Sequence, residues 1–229
     1  MKTFIKERGL AFFLIAVVLL WIKTYVGYVL NFNLGIDNTI QKILLFVNPL
    51  SSSLFFLGFG LLFKKKLQQT AIIVIHFLMS FLLYANIVYY RFFNDFITIP
   101  VIMQAKTNGG QLGDSAFSLM RPTDAFYFID TIILIILAIK VNKPAETSSK
   151  KSFRIIFASS ILVFLINLAV AESDRPELLT RSFDRNYLVK YLGTYNFTIY
   201  DAVQNIKSNS QRALADSSDV TEVENYMKA

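Results

Sequence analysis

Residues 155–193 read IIFASSILVFLINLAVAESDRPELLTRSFDRNYLVKYLG. An uncharged, mostly apolar run from Ile155 to Ala171 stops abruptly at a mixed-charge segment carrying Glu172, Asp174, Arg175, Glu177, Arg181, Asp184 and Arg185. A helix rises about 1.5 Å per residue and a bilayer's hydrocarbon core is about 30 Å thick, so the run spans a membrane with help from its flanks. The charged segment then lies at a membrane surface. Which surface it occupies is decided by the rest of the chain.

Four more apolar blocks precede this one: Gly9 to Leu30, Ile43 to Phe63, Leu67 to Tyr90 and Ala125 to Ile139. Three carry polar interruptions, at Lys23, at Asn48-Pro49 and at Asp130. The 229 residues are 54% hydrophobic and only 17% charged, with a mean hydropathy of +0.48. Soluble domains carry about 25% charged residues. The expected fold is therefore all-α, a polytopic membrane protein with five transmembrane helices and additional interfacial amphipathic helices. The net charge of +7 does not point to nucleic acid, because the basic residues cluster at the ends of the apolar blocks. With no cysteine and one histidine, disulfides, thiolate chemistry and His-rich metal sites are excluded.

Orientation follows from lysine and arginine. Lys2, Lys6 and Arg8 precede the first block, Lys64 to Lys66 separate the second and third, and Lys140, Lys143, Lys150, Lys151 and Arg154 separate the fourth and fifth. The positive-inside rule places these segments, and the N-terminus, in the cytoplasm. Five spans place the C-terminus outside. The first block is too long for a cleaved signal peptide and is followed by TYVGYVLNF, not by a small-residue cleavage site. The loop from Arg91 to Asp124 is rich in apolar residues, and short helices in the membrane interface would bury them.

Counting depth by helical rise puts Lys23 about 8 Å and Asp130 about 9 Å below the outer surface of the core. Asn48, Asn86 and Asn167 fall in the same outer third, and His76 towards the cytoplasmic side. One reading is an outward-facing polar pocket that receives a lipid headgroup. The other is a structural staple, since an intramembrane charge needs a partner. His76 reads as a packing histidine.

Beyond Arg185, the apolar residues Leu188, Tyr191, Leu192, Tyr195, Ile199, Ala202, Val203 and Ile206 recur at helical spacing, with Lys190, Asp201 and Lys207 mainly off that stripe. Gly193, Thr194 and Thr198 weaken a single continuous helix, so a surface-lying amphipathic segment, broken in two, is expected. Glu172, Asp174, Arg175, Arg181, Asp184 and Arg185 are expected to pair among themselves as a rigid collar. No metal-ligand motif accompanies these carboxylates. Asn196-Phe197-Thr198 matches a glycosylation sequon by accident of composition. Ala213-Leu214-Ala215 before Asp216 is a small-x-small peptidase pattern.

Three features, the stretches AESDRPELLTRSFDRNYLVKYLGTYNFTIYD and FLLYANIVYYRFFNDF and the five-block layout, together resemble the membrane domain of the lipoteichoic acid synthase family. The resemblance extends over essentially the whole chain and covers less than half of a family protein. It implies a Gram-positive cell-membrane enzyme of cell-wall biogenesis that takes glycerol phosphate from phosphatidylglycerol, releases diacylglycerol and extends a glycolipid-anchored polymer. It also implies a threonine nucleophile and a manganese ion in an extracellular domain beyond the membrane region, with signal peptidase cutting after Ala215. The chain stops at Ala229, so no catalytic threonine or metal ligand is assigned in it. The expected organisation is a five-helix membrane domain (1–172), an extracellular membrane-proximal segment (173–212), and the cleavage site with the start of a linker (213–229). The implied partners are membrane lipids, the catalytic domain, signal peptidase and other envelope-synthesis proteins. A non-catalytic membrane partner or regulator of envelope assembly stays open as the alternative; a small transporter is disfavoured by the lack of an inverted repeat.

Overall fold

A computed structural model describes residues 2–63, 66–107, 118–140, 150–180 and 184–228. Among these the secondary structure is helical, with no strand. The helices are α1 (Lys2–Asn31), α2 (Thr39–Gly58), α3 (Lys66–Phe93), α4 (Ile99–Thr107), α5 (Ile129–Lys140), α6 (Lys150–Asp174) and α7 (Arg185–Lys228). Two 3-10 segments, Phe59–Leu62 and Pro122–Phe128, extend α2 at its end and α5 at its start. Five of the resulting helices are long and apolar enough to cross a membrane, at 10–31, 39–62, 67–93, 122–140 and 151–174. This matches the five apolar blocks.

Local chemistry sets the ends. Asn38 caps α2 by accepting the Gln41 N–H at 2.8 Å. Pro49 lies inside α2 and removes the N–H that would bond the Leu45 carbonyl, yet the helix continues. Gly60 lets the 3-10 turn press on α3, since a Cβ there would lie 2.5 Å from Ile72 Cγ1. The fourth span reaches full length through its 3-10 start. Asp124 accepts the Arg121 N–H at 2.9 Å and both Arg91 guanidinium nitrogens at 2.7 Å.

α1 packs between α2 and α3, α6 packs along α2, and α5 packs on α3 and the edge of α1. Buried Phe13, Leu20, Leu44, Leu57, Leu83 and Ile87 fill the centre. α5 and α6 bury the smallest share of their surface and form the flanks. Lipid tails are as apolar as leucine, so close packing and interhelical hydrogen bonds hold these helices together.

α7 differs from the expectation of a segment laid on a surface. Its first part is built into the bundle: Leu188, Val189, Tyr191, Leu192, Tyr195 and Phe197 are buried. It packs against α2, α3, α4 and α6. The break falls at Gly193, with φ 76° and ψ 161°, a backbone region essentially confined to glycine. Beyond the bend, Ile199, Val203 and Ile206 face outward.

Candidate functional site

The polar residues of the spans form separate clusters, not one layer. Lys23 Nζ lies 2.6 Å from Asp130 Oδ2 and donates to Asp130 Oδ1 at 2.8 Å, to the Tyr127 carbonyl at 3.1 Å and to Ser80 Oγ at 2.5 Å. The three ammonium hydrogens are thereby matched by partners on α3 and the fourth span. Both side chains are nearly closed off, at 10% and 11% exposure. His76 joins this cluster, with Nε2 3.3 Å from Asp130 Oδ2 and Nδ1 3.1 Å from Thr131 Oγ1. Reading His76 as a packing residue near the cytoplasmic side missed this. Rise along α3 gives depth only for an upright helix, and a helix of 28 residues exceeds the span it must cross. The cluster's geometry is that of a staple between α1, α3 and α5.

Asn48 and Asn167 meet on the other side of α1. Asn167 Nδ2 donates to Asn48 Oδ1, and Asn48 Nδ2 donates to the Tyr191 carbonyl at 2.6 Å. That carbonyl lies just before the bend at Gly193, so two spans jointly hold α7. Ser52 donates to Asn196 Oδ1 at 3.1 Å. Asn86 joins neither cluster: it bonds the Leu82 carbonyl and accepts the Ile97 N–H at 3.1 Å, fixing the chain that enters α4.

The mixed-charge segment bonds largely to other elements. Asp174 accepts Asn38 Nδ2 at 2.9 Å, Gln41 Nε2 at 3.1 Å and the Tyr191 hydroxyl at 2.6 Å. Arg185 pairs with Asp95, in the segment between α3 and α4. Local bonds follow the expected collar in part: Glu172 accepts the N–H groups of Glu177 and Leu178, and Asp184 accepts the Asn186 N–H. The Arg175 guanidinium lies 5.3 Å from the Tyr187 ring centre. Arg181 lies outside the described residues. The segment is thus a clamp between α2, α6 and α7.

Lys190, read from periodicity as off the apolar stripe, is buried. It donates to the Gly35 carbonyl at 2.5 Å and to Gln41 Oε1 at 3.3 Å, and stands 4.6 Å from the Tyr187 ring centre. No periodicity signals this, because the site forms only when the loop before α2 folds over α7. Burial first, and then the Asp174 carboxylate, push the Tyr191 phenol up to about 12, so it stays a neutral donor. Ala213, Ala215 and Asp216 fall within the helical backbone of α7, with Ala215 exposed. Among the described residues no three of His, Asp and Glu are grouped to hold a metal.

Five apolar spans, a paired charge cluster inside them and a helix clamped at one end define a polytopic membrane domain. The chain belongs to the lipoteichoic acid synthase N-terminal domain family, whose model matches residues 1–214. It is 53% identical over 218 residues to lipoteichoic acid synthase 1 of Bacillus subtilis (strain 168), covering 95% of this chain and 34% of that protein. It is 46% identical to the lipoteichoic acid synthase of Staphylococcus saprophyticus and 44% identical to that of Staphylococcus aureus (strain USA300), at the same coverage. The chain therefore spans about a third of the length of these curated relatives. No solved structure matches it.

Proposed function

We propose that this chain is the membrane domain of a glycerophosphotransferase of the lipoteichoic acid synthase type. It anchors the enzyme in the bacterial membrane and fixes the direction in which the catalytic domain leaves it. The observation that carries this reading is the clamped start of α7. Tyr28, Asn48 and Asp174, on three different spans, each bond to residues between Tyr191 and Thr194. A flexible tether would need none of these bonds.

In the proposed reaction the bond between phosphorus and the diacylglycerol oxygen of phosphatidylglycerol breaks. A new phosphorus–oxygen bond forms to the terminal hydroxyl of the polymer, and that hydroxyl's proton ends on the released diacylglycerol. Manganese would stabilise the phosphate charge. It would be held in the catalytic domain, and none of the described residues is assigned to it. With the N-terminus cytoplasmic, that domain and the Ala215 cut site would be extracellular. Signal peptidase and other envelope-synthesis proteins are the proposed partners.

The test is an assay of the protein encoded by the complete reading frame, in vesicles of phosphatidylglycerol with a glycolipid acceptor. Diacylglycerol release together with glycerol phosphate polymer is expected. Folded, membrane-inserted protein that yields neither product contradicts the proposal.

A further inference from the structure

A cavity of about 300 Å³ lies between α2, α6 and α7, and Asn196, bonded to Ser52, is part of its lining. Phe55, Ile161, Phe164, Leu192 and Val203 form its apolar walls, with Ser51, Ser160 and Asn196 among them. The cavity is continuous with the outward surface. Ile161 and Val203 line it and are exposed, and Leu162, Leu165 and Ile166 carry the exposed surface on along α6. α2 and α6 are both long and apolar enough to cross a membrane, which would set the mouth against bilayer hydrocarbon.

A chain already in a bilayer gains no hydrophobic energy by entering such a space, so shape and a polar anchor must retain it. Asn196 supplies the anchor. Its Oδ1 accepts the Ser52 hydroxyl at 3.1 Å, which fixes the amide orientation, and Nδ2 donates to the Leu192 carbonyl at 2.9 Å. An amide nitrogen carries two hydrogens, so one N–H remains for a ligand. In hydrocarbon an unmet donor is costly, and the acceptor that an acyl chain brings with it is its ester carbonyl.

We propose that this cavity holds one acyl chain of a glycerolipid, with the chain's ester carbonyl accepting the second N–H of Asn196. The site is a lipid-binding site of the membrane domain itself. It does not depend on the transfer activity proposed above.

The experiment uses the whole chain in phosphatidylglycerol vesicles doped with phosphatidylglycerol that carries a diazirine in one acyl chain. After irradiation, labelled peptides are mapped by mass spectrometry. The expected result is labelling concentrated near Phe55, Ile161 to Phe164 and Val203. Labelling there should fall about tenfold in Val203→Trp and in Ile199→Trp, which fill the mouth from exposed positions, and also fall in Asn196→Leu. Ile136→Trp, on the outward face of α5, should leave it unchanged. Even labelling of all outward faces, or equal cavity labelling in both mouth-filling variants, overturns the proposal in favour of ordinary boundary lipid. Because no turnover is read, an inactive enzyme would leave this result standing.

Discussion

The Tyr28 hydroxyl accepts the Thr194 backbone N–H at 2.8 Å and lies 2.9 Å from Thr194 Oγ1. The bend at Gly193 interrupts the helical ladder, and a phenol from α1 takes over the freed donor. The same bend leaves no room for a side chain, since a Cβ on Gly193 would stand 3.1 Å from the Tyr28 oxygen and 3.2 Å from Asn48 Cβ. Sequence, backbone angle and interhelical bond thus fix one joint between the first span and the last helix.

Gly193→Ala should lower stability by about 2–3 kcal/mol, from backbone strain plus crowding. Tyr28→Phe should cost about 1–3 kcal/mol, because it leaves a buried N–H unmet. Thermal unfolding of the detergent-solubilised protein reads both. A Gly193→Ala protein as stable as the parent would show that the bend is not required.

The Lys23–Asp130 pair should behave as a staple. Asp130→Leu alone should cost about 3–5 kcal/mol, because it leaves the ammonium without its anion. Adding Lys23→Met should recover a large part of that loss. A double variant as unstable as the sum of the singles would remove the coupling.

The five spans and the approach of Lys23 to Asp130 were legible in the sequence, because apolar run length and helical rise both survive folding. The destination of each polar group was not. Asn48 and Asn167 bond each other while Asn86 turns to the chain that enters α4, a division that depends on helix rotation. The neighbours of His76 and Lys190 are set by packing that spacing does not show: His76 meets Asp130 and Thr131 on the facing span, and the loop before α2 closes over Lys190. The charged residues after Ala171 looked self-sufficient because their partners Asn38, Gln41 and Asp95 are distant in sequence.

Alkaline pH should loosen the α7 joint. A free tyrosine ionises at a pH of about 10, and the Tyr191 phenol is pushed up to about 12. Between those values the unfolded chain has lost a proton that the folded chain keeps, so stability falls as pH rises through that window and is untouched below it. Burial also holds Tyr195 well above its usual range. Tyr191→Phe should flatten the decline in unfolding temperature between these pH values. An unchanged slope in that variant would remove Tyr191 as a cause.

The proposed cut after Ala215 should require local unwinding, because Ala213 to Asp216 lie in helical backbone and a protease binds its substrate extended. Ser217→Ala with Ser218→Ala should stabilise that helix by about 1 kcal/mol and slow the cut by about fivefold. Ala215→Lys should abolish it. Purified signal peptidase and gel analysis of the products read both, and equal rates in the serine variants would rule out an unwinding step.

Hydrogen–deuterium exchange in phosphatidylglycerol nanodiscs tests the built-in start of α7 most directly. Amides from Leu188 to Phe197 should exchange as slowly as those of α1 and α2, whereas amides beyond Val203 should exchange much faster. Fast exchange throughout α7 would make it a helix resting on the surface, and would contradict a membrane domain that aims the catalytic domain.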